Sequence, residues 1–364
     1  MSESICFILP HPADGPTGGY KVVYEYANRL AADGFLVDIV YSGSIFWKQK
    51  TLRFKLTSCI RYVQRRIKGF SSRGWFPLDK RVKEHFTLSM NYRHVPKADV
   101  YVATSPYTAW YLNEYPVAED RKFYFIQGYE NWGPGLRAIL EDTYHFPLRK
   151  IVIARWLQKM LEERYGEKSV VVPNGFDFDR FSLTTPINDR APYSLSMLYH
   201  NMESKRCADA MEAIRIVKER FPQVRVNAFG VPERPADMPE WYTYYRMPDA
   251  EVHNALNNES AIFVSASESE GWGLTVGEAM ICGEAVCCTD NDGHREMAID
   301  GETALLSPVR DPRSLADNII RLIEDDTLRI RIAERGRDYI QKFRWDESYK
   351  RFRSLLTGEI SMEK

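Results

Sequence analysis

A chain of 364 residues exceeds one ordinary domain, and a hydrophobic content of 44% is enough to bury two cores. The net charge of −1 argues against a general nucleic-acid binder, and aromatic residues at 13% suit sugar-stacking surfaces and ordinary core packing equally. The six cysteines, at 6, 59, 207, 282, 287 and 288, form no C-x-x-C pair and no zinc spacing, so free thiols in a reducing compartment are expected. The N-terminus lacks a basic region before its short apolar run, and no stretch approaches a membrane span; the expectation is a soluble, cytoplasmic chain.

In chain order, residues 5–9 read as a first strand, followed by a loop containing Gly15, Gly18 and Gly19. Residues 20–32 have helical spacing, with Val22, Val23, Tyr26, Ala27 and Leu30 on one face, and Asp33-Gly34 ends the helix. Residues 35–41 read as the second strand. This is how a doubly wound α/β domain opens, and its ligands are expected at the carboxyl ends of the strands. The dinucleotide fingerprint G-x-G-x-x-G is absent, and a plain strand–helix turn remains the alternative for the glycines.

Residues 48–73 hold nine Lys and Arg and no acidic residue, including Arg53, Lys55, Arg61, Arg65, Arg66 and Lys68, interleaved with Phe54, Leu56, Ile60, Tyr62, Val63, Ile67 and Phe70. A basic amphipathic segment suits an anionic membrane surface or a lipid-diphosphate acceptor. The other reading is a solvated helix whose apolar side packs on its own domain. No nucleic-acid module accompanies the charge.

Residues 99–104, 122–126, 151–154 and 169–173 read as further strands, with a helix at 155–165. Asn174-Gly175 then turns the chain toward a linker at 184–191, with Pro186 in it and Pro192 after it, where the domain boundary is expected. The expected division is 1–185, 192–345 and a final helix within 346–364. The second domain opens with a strand at 194–199; Lys205 and Arg206 stand just before a helix at 208–220. Two cations at a helix start need an anion nearby or full exposure, because that end of the dipole is positive.

Residues 224–229 and 242–246 read as strands and 250–257 as a helix. Then comes the most informative stretch. An apolar run at 261–264 leads into a loop with Glu270, Trp272 and Gly273; a helix is expected from about Thr275 to Cys282, and another apolar run follows at 285–288. Such a loop offers backbone N–H groups to an anion at a helix N-terminus. Glu270 and Glu278 flank it. Carboxylates accept from hydroxyls and N–H groups hold phosphate oxygens, so a sugar attached to a diphosphate suits the pattern. The competing reading is a Thr275-x-x-Glu278 capping box. Residues 312–324, 327–343 and 345–356 are helical by period. Asp177-Phe-Asp179 and Asp290-Asn-Asp292 each have the form of a divalent-metal site, and no such site is expected at either.

Glu270-Gly-Trp-Gly-Leu-x3-Glu278-Ala-Met-x-Cys-Gly283-x-Ala-Val resembles the Glu-x7-Glu signature of the retaining glycosyltransferases of family 4, which have the GT-B fold. Gly293-x-x-Glu296, Gly301-Glu-Thr-x-x-Leu305 and Pro173-Asn-Gly-Phe-Asp177-x-x-Arg-Phe181 extend the resemblance over most of residues 150–345, and it is looser before that. It implies an α/β fold of two Rossmann-like doubly wound parallel-sheet domains facing a central cleft, with the C-terminal helix, 346–364, crossing back to the N-terminal domain. It implies a nucleotide-sugar as co-substrate, no metal or other cofactor, and a glycan or lipid-linked glycan acceptor. Glu270 would contact the donor sugar together with backbone around Trp272, Gly273, Leu274 and Thr275, and Glu278 the ribose. Gly18 and Gly19 match a loop that faces the donor phosphates and the acceptor. Lys205 matches a lysine that holds the diphosphate; His200 or Asn201 stands where the family has Arg, and Arg206 is a substitute.

On the acceptor side, where many relatives have a His-Asp pair, this sequence has Gln127-Gly128, and Gln is no general base. Gln127, Tyr129 and Asn174 are the acceptor-side candidates. The Tyr-Phe-Ile-Gln-x-Tyr-Glu run resembles some bacterial rhamnan-type transferases. The resemblance points to surface polysaccharide synthesis, and the basic segment at 48–73 to peripheral contact at the inner face of a membrane. Two other readings stay open: a sugar-nucleotide epimerase or hydrolase on the same fold, and a membrane-docked sugar-nucleotide-binding protein without activity.

Overall fold

The structure, a computed structural model, describes residues 3–13, 15–42, 52–130 and 141–361, with six side chains of residues 52–68 left out. It divides into two units, Met1–Pro173 with Ser348–Lys364, and Asn174–Glu347.

In the first unit the strands are β1 (Ser4–Leu9), β2 (Leu36–Ser42), β3 (Lys83–Thr87), β4 (Val100–Ala103), β5 (Lys122–Ile126), β6 (Arg149–Val152) and β7 (Val170–Val171). They pair in parallel in the order β3-β2-β1-β4-β5-β6-β7. Helix α1 (Gly18–Ala32) buries Val22, Val23, Tyr26, Ala27 and Leu30, the stripe read from the sequence. Every residue of β5 is buried, as expected for a parallel strand covered on both faces. The chain order reverses direction between β1 and β4. That switch point places the loop after β1 and the first residues of α1, Gly18 and Gly19, beside the ends of β4 and β5. Strand β3 was not expected. It lies at the sheet edge, where Lys83, Glu84 and His85 stay partly in water and no apolar alternation marks it.

The C-terminal helix, Trp345–Leu356, contributes its residues from Ser348 onward to the first unit. Phe352 is fully buried, stacked on Tyr26 at 4.0 Å and against Phe125 at 5.3 Å. Tyr349 donates to Asp33 at 2.5 Å, at the end of α1.

The second unit repeats the topology. Strands β8 (Ser194–Tyr199), β9 (Arg225–Gly230), β10 (Tyr242–Arg246), β11 (Ile262–Ser265), β12 (Ala285–Thr289) and β13 (Ala304–Ser307) pair in parallel as β10-β9-β8-β11-β12-β13. Its switch point falls between β8 and β11. Cys287 and Cys288 are both fully buried on β12, which is covered on both faces.

The boundary differs from the expected one: it falls after Pro173, and residues 184–191 are no linker. The cause is Arg190, which is buried and donates to the carbonyls of Thr185 at 2.9 Å, Ser260 at 2.9 Å and Asn257 at 3.2 Å. Thr184 N–H donates to Asn258 at 2.7 Å, and Phe181 meets His253 edge-on at 5.0 Å. Proline punctuation marks a turn but does not report such a buried guanidinium. Among the described residues no helix is long and apolar enough to cross a membrane.

Candidate active site

At the second unit's switch point, the loop after β8 carries Lys205 and the loop after β11 carries Glu270. They meet: the Lys205 ammonium donates to both carboxylate oxygens of Glu270, at 2.7 and 2.9 Å. Both side chains are mostly buried, Lys205 at 22% and Glu270 at 12% exposure. Burial pushes the Glu270 carboxyl up, but the Lys205 ammonium beside it outweighs this and holds it below the ordinary range. The site therefore holds a committed anion, Glu270, against the Lys205 side chain.

Beside this pair begins the helix Leu274–Cys282 (α7). Its N-cap is Gly273, at φ 93°, a conformation that favours glycine. No side chain caps it and no acidic residue stands in its first turn. The first N–H groups are thus left for a ligand, which is the arrangement that binds anions. The capping-box reading of Thr275 does not hold, because the helix starts one residue earlier and Thr275 lies inside it. Glu278 is buried, 7% exposed, within the helix. The Trp272 ring is buried edge-on against Phe343 at 5.0 Å, so only its backbone can serve a ligand.

The other expected cations sit differently. Arg206 adopts φ 47° at the start of the helix Cys207–Arg220, and its guanidinium forks onto Asp209 at 2.9 and 3.0 Å. His200 accepts at Nδ1 from the Met202 N–H at 2.9 Å, and burial, then the Lys205 charge, push its imidazole below its ordinary value. Asn201 is exposed. Asp177 accepts from the N–H groups of Asp179 and Arg180, and Asp290 is forked by Arg295 at 2.5 and 2.7 Å, so both Asp-x-Asp sequences have local partners.

One residue absent from the sequence reading is His294, fully buried under the Glu270–Gly273 loop. A Cβ on Gly273 would lie 3.1 Å from its ring, and one on Gly293 only 2.4 Å from the Glu270 carbonyl, so the loop and this turn fit together only with glycine at both positions. His294 Nδ1 lies 2.8 Å from the Thr289 carbonyl and 2.9 Å from the Asn291 amide nitrogen, and its Nε2 is buried with no hydrogen-bond partner. Burial pushes the imidazole below its ordinary value, against the pull of Glu270. A depressed imidazole contributes stability above the unfolded value of about 6.5 that is lost as pH falls. The melting-temperature gap between the wild type and His294→Gln is therefore expected to narrow between about pH 7 and 5; a constant gap would mean the ring titrates normally.

In the first unit, Gln127 donates to the Gly19 carbonyl at 3.0 Å, and a Cβ on Gly19 would meet its amide at 3.4 Å. The loop after β5 is thereby joined to the first turn of α1, which starts at Gly18. Tyr129 is half-buried beside Tyr165. Next to it stands Glu130, which the sequence reading passed over; withdrawal from water pushes its carboxyl up to about 8, so near neutral pH it is largely a donor. Asn174, assigned by contact to the second unit, is buried. Helix α2 (Leu52–Lys68) carries the basic segment: Arg53 and Arg66 are exposed and Arg65 half-buried. The side chains of Lys55, Arg61 and Lys68, together with Lys48 and Lys50, lie outside the described residues.

Residues 239–339, which include the Glu270–Glu278 loop, match the family described as Glycosyl transferases group 1. The chain is 25% identical over 223 residues to a phosphatidyl-myo-inositol mannosyltransferase of Mycobacterium tuberculosis, covering 57% of this chain and 59% of that one. It is 34% identical over 205 residues to an uncharacterized glycosyltransferase of Methanocaldococcus jannaschii, covering 54% of this chain and 56% of that one. The chain thus aligns with somewhat more than half the length of these relatives. Among solved structures, the sucrose-phosphate synthase of Thermosynechococcus elongatus is similar with a TM-score of 0.70 at 15% identity, over 98% of this chain and 99% of that one. The HepE protein of Anabaena, solved with UDP and glucose, is similar with a TM-score of 0.71 at 15% identity, over 98% of this chain and 100% of that one. At such identity these likenesses speak for the fold.

Proposed function

We propose that this chain, whose second unit carries a glycosyl transferases group 1 domain and whose two α/β units form a GT-B fold, moves a sugar from a nucleotide-sugar to a glycan or lipid-linked glycan. The observation that carries this reading is the Lys205–Glu270 pair at the switch point, beside the uncapped N-terminus of α7. A nucleotide-sugar supplies partners for each part. Its diphosphate takes the Lys205 ammonium and the α7 N–H groups; its sugar hydroxyls donate to Glu270; its ribose hydroxyls donate to Glu278.

The free-state pair then acts as a holding arrangement, since Lys205 must turn from Glu270 toward the phosphates or share its hydrogens with them. The transfer itself is read as retaining. The bond from the anomeric carbon to the phosphate oxygen breaks, and the electron pair leaves with the diphosphate. The acceptor oxygen bonds to the same face of that carbon, and its proton passes to the departing oxygen. Charge building on the diphosphate is met by Lys205 and the helix N–H groups rather than by a divalent ion, a preorganised electrostatic role. A surface polysaccharide is the acceptor class this reading favours, on the family resemblance of the Tyr124–Glu130 run.

The test is release of nucleoside diphosphate from UDP-, GDP-, ADP- and dTDP-sugars, with EDTA present, with and without a glycan acceptor. Release from one donor class that depends on acceptor and tolerates EDTA is expected. Equal release without acceptor would assign a hydrolase instead, and loss of release with EDTA would require a metal.

A further inference from the structure

The basic segment takes no part in the donor chemistry, and the structure separates its two faces. On α2, Leu56, Ile60, Val63 and Ile67 stand at 58%, 57%, 52% and 79% exposure. Their spacing of four, three and four residues places them in one narrow stripe along the helix. The opposite side is the one that packs on the domain: Tyr62 stacks on Phe86 of β3 at 5.1 Å, with Arg66 over the Tyr62 ring. The apolar residues that a self-packing helix would bury, four large side chains in a row, are therefore left in water.

Charge says what covers them. The helix carries six Lys and Arg and no acidic residue. The chain that follows it and the edge strand β3 enclose an open depression of about 590 Å³, lined by Phe70, Arg73, Lys80, Lys83, Glu84 and His85. Its carboxylates and their neighbours are occupied within the chain: Glu84 is paired with Arg73 at 2.6 Å and Asp79 with Arg81 at 2.6 Å, and Asp38 lies in hydrogen-bond contact with His85 at 2.5 Å. Lys80 and Lys83 are exposed and have no carboxylate partner among the described residues. An acidic protein would be drawn to the cations but offers no reason for a continuous aliphatic stripe between them; a second copy of this chain would bring like charge to like charge.

We propose that this face of the first unit docks on an anionic phospholipid surface. The α2 stripe enters the headgroup–acyl boundary, and Lys80, Lys83 and the helix arginines meet lipid phosphates. The surface is remote in sequence from the donor site and stands whether or not the transferase reading does.

The experiment is flotation of the full chain with vesicles of phosphatidylcholine alone and of phosphatidylcholine with phosphatidylglycerol, at low and high salt. Three proteins are compared: wild type, Ile60→Ser with Ile67→Ser, and Lys80→Ser with Lys83→Ser. Wild type is expected to bind only the anionic vesicles and to be released by salt. Each double variant is expected to lose about tenfold or more in partitioning while keeping the wild-type melting temperature, since all four side chains are exposed. No binding by wild type, equal binding to both vesicle types, or unchanged binding by the stripe variant would overturn the proposal. So would a wild-type dimer that the stripe variant abolishes, which would assign the face to a second copy. Release of nucleoside diphosphate with a soluble acceptor is measured alongside and is expected to be unchanged in both variants, so a failure of docking and a failure of the transferase reading are told apart.

Discussion

Replacing Lys205 by alanine is expected to lower kcat by about 10²–10³-fold, with a smaller rise in KM. The reasoning runs from the charge the reaction develops. In the ground state the diphosphate already carries negative charge and finds other donors at the start of α7. In the transition state another electron pair settles on the leaving oxygen, and the cation beside the start of that helix is Lys205, held against Glu270, while the Arg206 guanidinium is forked onto Asp209. A group worth more in the transition state than in the ground state shows in kcat.

The substitution also strips Glu270 of its partner, leaving a mostly buried carboxylate uncompensated. Glu270→Gln in the same background separates the two effects. If the loss comes from the stranded carboxylate, the double variant regains activity. If it comes from the missing cation, it does not, and that second result is expected.

Phe352→Ala is expected to cost about 3–5 kcal/mol, the range for truncating a buried phenylalanine, and so to lower the melting temperature by roughly 6–20 °C. Phe352 is fully buried between Tyr26 of α1 and Phe125 of β5, with Phe7 of β1 at 6.3 Å. Its removal leaves a cavity bounded by three rings whose backbones are fixed by the sheet and by α1. The exposed neighbour Arg351 serves as a control: Arg351→Ala is expected to leave the melt within about 0.5 kcal/mol of wild type. A melt of Phe352→Ala that matched this control would show that the C-terminal segment is not part of the first unit's core.

What could be read from the sequence was whatever rests on local period and local chain reversal. The run from Ile262 through the Gly273 turn to Thr289 shows apolar strands bounded by glycines around a short helix, and the structure builds it with the helix one residue longer at its start. The final helix, read at 345–356, was legible for the same reason. The pairing of Lys205 with Glu270 was legible only as two separate candidates, because a strand order of 10-9-8-11 brings together loops 65 residues apart. Strand β3 was hidden because an edge strand keeps polar side chains. The unit boundary was misplaced because Arg190 draws residues 184–190 into the second unit through carbonyls that leave no mark in the sequence. His294 and Glu130 were missed because a single titratable residue becomes informative only once its burial is known.

The most direct test of the central claim is calorimetric titration of the donor class against the wild type, Lys205→Ala and Glu278→Ala, with EDTA present. A donor site at this switch point predicts binding by the wild type, weaker binding by Glu278→Ala, and binding by Lys205→Ala that survives while its turnover falls. Equal affinity in all three proteins would place the nucleotide-sugar elsewhere and contradict the account.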